Sequence, residues 1–217
     1  RWWVYRKHVK ETPEGYIITE FLPDVYWVGK YNSINCVAGH HIYEGRWLRN
    51  GDTYLKDYIQ FWVKGSGNVR SYSTWIVDAI YQFCLIKGDF QMAVDLLPHM
   101  TENYEQWEKE HLHESGLFWS IDDRDAMEYS ISGNGLRPAL NSYLYADAIA
   151  ISKIADLAGD HLCAEKYRQK AERIRQLVQE RLWDQAVEFF KVIPLEKKKD
   201  AVQQWDFSQI ETNHNVR

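Results

Sequence analysis

Residues 116 to 138, GLFWSIDDRDAMEYSISGNGLRP, set Asp122, Asp123, Asp125 and Glu128 between Trp119 and Tyr129. Carboxyl groups beside aromatic rings suit the cleavage of a glycosidic bond. One carboxylic acid protonates the departing oxygen while a second carboxylate activates water or attacks the sugar. The donor must keep its proton near neutral pH, which requires apolar surroundings or a neighbouring negative charge. Glu128 lies between Met127 and Tyr129 and three residues from Asp125, so both influences are at hand. Arg124 and Arg137 can orient or neutralise the other carboxylates. Each of Asp122, Asp123 and Asp125 taken singly reads more simply as a solvated turn residue; the loop taken whole reads as a site.

Other chemistries fit less well. Asp123 and Asp125 alternate as calcium ligands do, but Met127 follows, and the glycine and closing glutamate of a helix-loop-helix calcium site are out of place. No metal and no cofactor is expected. GSGNVRSYSTW (65–75) matches neither a phosphate loop nor a dinucleotide fingerprint, and reads as a flexible loop turning Arg70, Tyr72 and Trp75 toward a ligand. In GHHIYEGRWL (39–48), His40 and Glu44 stand one helical turn apart, ahead of Arg46 and Trp47. This reads equally as a buried hydrogen-bonding group or as part of a binding site. His111 and His113 are expected to cap helix carbonyls. Trp119, Trp75 and Trp47 are candidates for stacking on a sugar ring, while Arg137 and Asn141 would hold its hydroxyls or position the loop.

Helices must carry these residues. Apolar spacing of three and four predicts helices over 33–49, 52–64, 72–87, 89–113, 139–158 and 160–182, with short β pieces at 16–21 and 187–193. Gly51-Asp52, Gly88-Asp89 and Gly159-Asp160 each separate two of these helices. Glycine can end a helix in the left-handed conformation and aspartate can cap the next, so each pair predicts a tight antiparallel hairpin. The remaining connections, 22–32, 65–71 and 115–138, are long. If the hairpins stack side by side, tight turns share one end and long loops the other. Tyr26, Trp27, Arg70, Tyr72, Trp119, the acidic group and Arg137 then meet at a common rim. Hairpins repeated around a ring make an all-α toroid, of which three are half. An open half would leave apolar faces uncovered, so the sequence reads as a truncated domain or a smaller array with its own caps.

The bulk composition agrees. A chain of 217 residues with 45% hydrophobic and 26% charged residues is an ordinary globular protein. A net charge of −5, with Lys197, Lys198 and Lys199 as the one basic run, argues against nucleic acid and against anionic membranes. Cys36, Cys84 and Cys163 lie far apart and read as buried free thiols. No apolar run is long enough to span a membrane. The chain begins at Arg1, which reads as a fragment, and leaves cytoplasmic and secreted locations both open. Aromatic residues stand out at 15% of the chain; they serve cores and sugar platforms alike.

The segments GHHIYEGRWL, NVRSYSTWIVDAIY, GLFWSIDDRDAMEYSISG and RPALNSYLYADAIAISKIA together resemble the mannosylglycerate-hydrolase-like glycoside hydrolase domain, a relative of glycoside hydrolase family 63 and, more distantly, of the trehalases. The resemblance runs over about residues 24–217. It implies a six-hairpin (α/α)6 toroid and inverting hydrolysis of a carbohydrate substrate. Laid on this chain, the family's loop motif passes through Arg124, Asp125, Ala126, Met127, Glu128, Tyr129 and Ser130, and gives Glu128 the general-acid position. Here Glu stands for the usual Asp, and Arg124-Asp125 for Glu-Ser. Either the backbone absorbs the longer side chain or Asp125 is the acid. The resemblance implies that the general base comes from later hairpins, beyond residue 217. On this reading 1–23 is a lead-in segment with β character, and 24–217 is a partial catalytic domain whose partner is the rest of its own polypeptide. A carbohydrate-binding or degenerate relative, and a helical-repeat interaction scaffold, are the alternatives.

Overall fold

The computed structural model describes residues 1–125 and 133–195. Glu128 and the stretch from 196 to 217 lie outside the described residues. A short helix, α1 (Trp2–Lys7), leads into an antiparallel hairpin of β1 (Val9–Thr12) and β2 (Gly15–Ile18), in which Val9 pairs with Ile18 and Thr12 with Gly15. Among the described residues six helices form the body: α2 (Ala38–Gly45), α3 (Gly51–Val63), α4 (Ile76–Lys87), α5 (Gln91–His111), α6 (Pro138–Leu157) and α7 (His161–Leu177). A π-helical turn, Val178–Leu182, continues the last. Strand β3 (Trp119–Ser120) pairs antiparallel with β4 (Gly135–Leu136). After a small hairpin of β5 (Trp183–Asp184) and β6 (Phe189–Phe190), β7 (Ile193–Pro194) completes a three-stranded sheet in the order β3-β4-β7.

The helices form where a stripe has something to bury against. On α7, Ala164, Tyr167, Ala171 and Ile174 are buried, between exposed charged positions. On α6 the buried set is wider, including Leu140, Leu144, Ala148, Ala150, Ile151, Ile154 and Ala155, because this helix packs against α4, α5 and α7 at once. Small residues there let α7 approach closely.

Side-chain pairs reveal the arrangement. His40 meets Trp75 and Tyr43 meets Asp78, so α2 and α4 run parallel. Trp75 meets Tyr143 and Lys153 lies over Tyr81, so α4 and α6 do likewise. Helices α5 and α7 are parallel as well, joined by Tyr167 Oη donating to the Thr101 carbonyl and by the pairs Lys166–Glu105 and Lys170–Glu108. Helices α2, α4 and α6 thus form one layer and α3, α5 and α7 the other. These are three hairpins of an α/α toroid, as the turn chemistry predicts.

Two of the three predicted turns use their glycine as expected. Gly88 (φ +70°) and Gly159 (φ +78°) are left-handed, and Asp89 and Asp160 accept the N–H groups of Gln91 and Cys163 at 3.0 Å. The first differs. Residues 46–50 already make the turn through bonds from Arg46, Leu48 and Gly51 N–H groups, so Gly51 opens α3 instead of closing α2. Lys87 Nζ donates to the Leu48 carbonyl at 3.2 Å and pairs with Asp52 at 2.9 Å, which binds two tight turns together at one end.

The lead-in departs from expectation by containing a helix. Tyr5 of α1 is buried and its hydroxyl donates to the His41 carbonyl at 2.8 Å. The strand expected over 16–21 ends at Ile18, and Ile17 and Ile18 join the main core beside α3. Helix α4 begins at Ile76, not 72, because the Ser73 N–H is taken by the Arg124 carbonyl at 2.8 Å. A second, small cluster of Leu117, Leu136, Leu177 and Leu182 sits where the 116–136 segment meets the end of α7. Among the described residues no helix is long and apolar enough to cross a membrane, and no group of three His, Cys, Asp or Glu side chains is arranged to hold a metal. Of the three cysteines expected to be buried, Cys84 is buried, while Cys36 and Cys163 are only partly so.

Candidate active site

The 116–136 loop is anchored before it reaches its acidic residues. Asn141, fully buried on α6, accepts the Phe118 N–H through Oδ1 and donates through Nδ2 to the carbonyls of Phe118 and Arg137, each at 2.8 Å. It acts as a strand partner would, and its amide faces backbone instead of solvent. Beyond it β3 and β4 close a neck, and Asp122 N–H donates to Asn134 Oδ1 at 2.8 Å.

One guanidinium then ties the neck. Arg137 is 3% exposed; its Nε donates to Asp125 Oδ2 at 2.7 Å, and its Nη1 lies 3.2 Å from Asp122 Oδ1 and donates to the Gly133 carbonyl. Asp125 and Gly133 are the residues on either side of the segment 126–132, so a single buried side chain holds both flanks of the stretch that contains Glu128. Ser73 Oγ donates to the other Asp125 oxygen at 2.6 Å, which fastens this neck to the 65–75 loop. Both oxygens of Asp125 therefore have protein partners, Oδ1 the Ser73 hydroxyl and Oδ2 the Arg137 guanidinium.

Next to this clasp lies an aromatic floor. Trp75 packs between His40 and Tyr143, with ring centroids 4.5 and 4.7 Å away, and Tyr43 stands 6.5 Å off. Gly39 permits this: a Cβ there would lie 2.6 Å from the indole. The Tyr43 hydroxyl donates to Asp78, and burial, aided by that carboxylate, pushes the Tyr43 pKa up to about 12. Burial also raises Tyr143.

A carboxylate from another helix supports the floor. Asp147 Oδ1 on α6 accepts the N–H groups of Val77 and Asp78, at 3.0 and 2.9 Å, where α4 begins. It caps α4 from a distance of 69 residues in sequence. Burial drives its carboxyl well above the usual range, opposed by those backbone bonds.

The other sequence-predicted residues divide. Tyr72 joins the rim, with the Arg124 guanidinium 4.7 Å above its ring. Asp123, half exposed, lies 3.9 Å from Arg124. Trp119 is half-buried against His111, centroids 4.9 Å apart. Trp47 is separated from all of these: it is 57% exposed in the α2–α3 turn, among the tight turns. The histidines also depart from expectation. His111 Nδ1 meets the Trp119 carbonyl at 2.9 Å instead of a helix carbonyl, and His113 Nδ1 meets Ser115 Oγ at 3.0 Å. Burial lowers the His111 pKa. Glu44 pairs with Arg1, not with His40.

Ser73, Asn134, Tyr143 and Asp147 also stand in this arrangement, and the sequence did not single them out. For Asp147 a signal existed, an ionisable residue on the apolar phase of SYLYADAIA. For Ser73 and Asn134 there was none beyond their presence in loops.

The sequence model described as "Mannosylglycerate hydrolase MGH1-like glycoside hydrolase domain" matches residues 30–215. A solved structure called a sialidase is similar at 38% identity and a TM-score of 0.86, over 90% of this chain and 19% of its own. The chain therefore spans about a fifth of that protein. No curated protein matches the sequence.

Proposed function

Because the chain belongs to the mannosylglycerate hydrolase MGH1-like glycoside hydrolase domain family, we propose that it supplies the proton donor and much of the sugar-contacting surface of an inverting glycosidase. Glu128 is the donor. Its proton passes to the glycosidic oxygen as the bond from that oxygen to the anomeric carbon breaks. A carboxylate from beyond residue 217, about 6.5–9.5 Å from the donor, removes a proton from the water that attacks the opposite ring face. Asp125 and Arg137 are positioning residues that hold the donor's segment, and Trp75 with Tyr143 offers the face on which the ring rests.

The observation that carries this reading is the Arg137 clasp, since one buried side chain grips both flanks of the Glu128 segment. Such an arrangement suits a group that must be aimed.

The test is Glu128→Gln in the full-length protein. Turnover of an unactivated glycoside should fall about 10²–10⁴-fold, the usual worth of acid catalysis, with an unchanged melting temperature. A dinitrophenyl glycoside, whose leaving group needs little protonation, should be spared most of that loss. Unchanged turnover of the unactivated substrate would remove Glu128 from the role. Glycan binding without any hydrolysis by the full-length protein would favour a binding-only relative.

A further inference from the structure

The aromatic floor has a second row of side chains beneath it. Tyr43 follows His40 by three residues, Asp78 follows Trp75 by three, and Asp147 follows Tyr143 by four. Each step is about one helical turn. The row Tyr43–Asp78–Asp147 therefore lies one turn nearer the tight-turn end than the row His40–Trp75–Tyr143. We propose that Tyr43, Asp78 and Asp147 form a strut across α2, α4 and α6 that sets the tilt of the Trp75 indole. They act as positioning residues through Trp75, and govern how firmly a sugar ring is held, not how fast its bond breaks. The inference rests on the glycosidase reading above.

The two rows are held differently. In the upper row the members touch ring to ring, Trp75 at 88° to His40 and at 43° to Tyr143. In the lower row they are joined by hydrogen bonds, whose strength falls steeply as they bend. The Tyr43 hydroxyl donates to Asp78 Oδ2, and the Asp78 N–H donates to Asp147 Oδ1 at 2.9 Å. Asp78 thus joins α2 through its carboxylate and α6 through its backbone.

Where α4 begins decides where Trp75 points. Trp75 immediately precedes the helix, and Val77 and Asp78 lie in its first turn. Their N–H groups are among those that a helix leaves without an internal partner. Asp147 Oδ1 takes both, that of Val77 at 3.0 Å. Asp147 is 2% exposed, on the same buried phase of α6 as Leu144, Ala148 and Ile151. A carboxyl buried there destabilises the fold. A leucine would carry no such penalty, but it would accept neither N–H.

The strut shares no residue with the Arg137 clasp. Asp125, Ser73, Asp122 and Gly133 are the clasp's partners, beside the Glu128 segment. Losing the strut therefore loosens the bound ring in ground state and transition state alike, which raises KM and leaves kcat as it was.

Full-length wild type, Asp147→Leu, Asp147→Asn and Tyr43→Phe are assayed on the p-nitrophenyl glycoside that the wild type cleaves fastest. All four are also titrated with the oligosaccharide of strongest signal on a glycan array. Asp147→Leu should raise KM up to about tenfold, the worth of one misplaced stacking face, with kcat changed less than about twofold. Asparagine keeps a side-chain oxygen for both N–H groups, so Asp147→Asn should return KM to within about twofold of wild type. Tyr43→Phe keeps the ring and loses the bond to Asp78, and should raise KM by a smaller factor than Asp147→Leu. If Asp147→Leu fails to fold, Tyr43→Phe decides by the same split of KM from kcat. Unchanged KM in the Leu and Phe variants, kcat falling in step with the rise in KM, or an Asn variant as impaired as the Leu variant would overturn the strut. A wild type that binds the oligosaccharide and cleaves no glycoside refutes the glycosidase reading alone, and the strut is then judged by the same pattern in dissociation constants. One that binds no glycan overturns both.

Discussion

At the tight-turn end, Asp160 accepts the Cys163 N–H three residues ahead and lies in solvent. At the loop-rich end, Asp125 accepts from Ser73, 52 residues back, and from Arg137, 12 residues on, at 3% exposure. The first is a local cap, worth about 1 kcal/mol. The second is half of a buried ion pair, where removal of one partner typically costs about 3–5 kcal/mol because the other charge stays buried alone. The same residue type therefore punctuates the fold in one place and, in the other, joins two separate loops at the rim. A defect at the first end should be felt as stability, and one at the second as stability and turnover together.

Arg137→Met would test that difference most severely. It leaves Asp125 buried without its cation and frees both flanks of the Glu128 segment. Urea denaturation of the full-length protein should show a loss of about 3–5 kcal/mol, accompanied by loss of glycoside turnover. Retained turnover would break the link between clasp and chemistry. Ser73→Ala removes only the hydroxyl on Asp125, a bond to a charged group worth about 1.5–3 kcal/mol. Its signature would be a moderate loss of stability with lower kcat; a change confined to KM would mean that the hydroxyl serves binding instead. Asp160→Ala, at the other end, should cost about 1 kcal/mol and leave turnover as it was. Impaired turnover in that variant would erase the distinction between the ends.

Much of the architecture was legible in advance. The spacing on α7 and the pairs Gly88-Asp89 and Gly159-Asp160 led to the right helices and to antiparallel hairpins, and the long connections led to a common rim. Gly51-Asp52 shows the limit. The same two letters mark a turn there, yet the preceding five residues make it, and the glycine begins a helix. The site was legible only in outline. Arg137 was expected to orient carboxylates, which its bonds to Asp122 and Asp125 agree with. Trp47, grouped with the other tryptophans by type, lies among the tight turns, because residue type says nothing about which end of a hairpin a position occupies.

The sequence by itself determined which stretches are helical and how consecutive ones pair, though not every boundary: the start of α4 at Ile76 depends on a bond from Ser73 to distant Arg124. Those outcomes depend on apolar periodicity and on capping groups within a few residues of each other. Only the tertiary structure decided which aspartates became buried partners. Asp147 reaches the start of α4 across 69 residues, and Ser73 reaches Asp125 across 52. A charged side chain's partner is set by packing between helices far apart in the chain, and no local pattern encodes that distance.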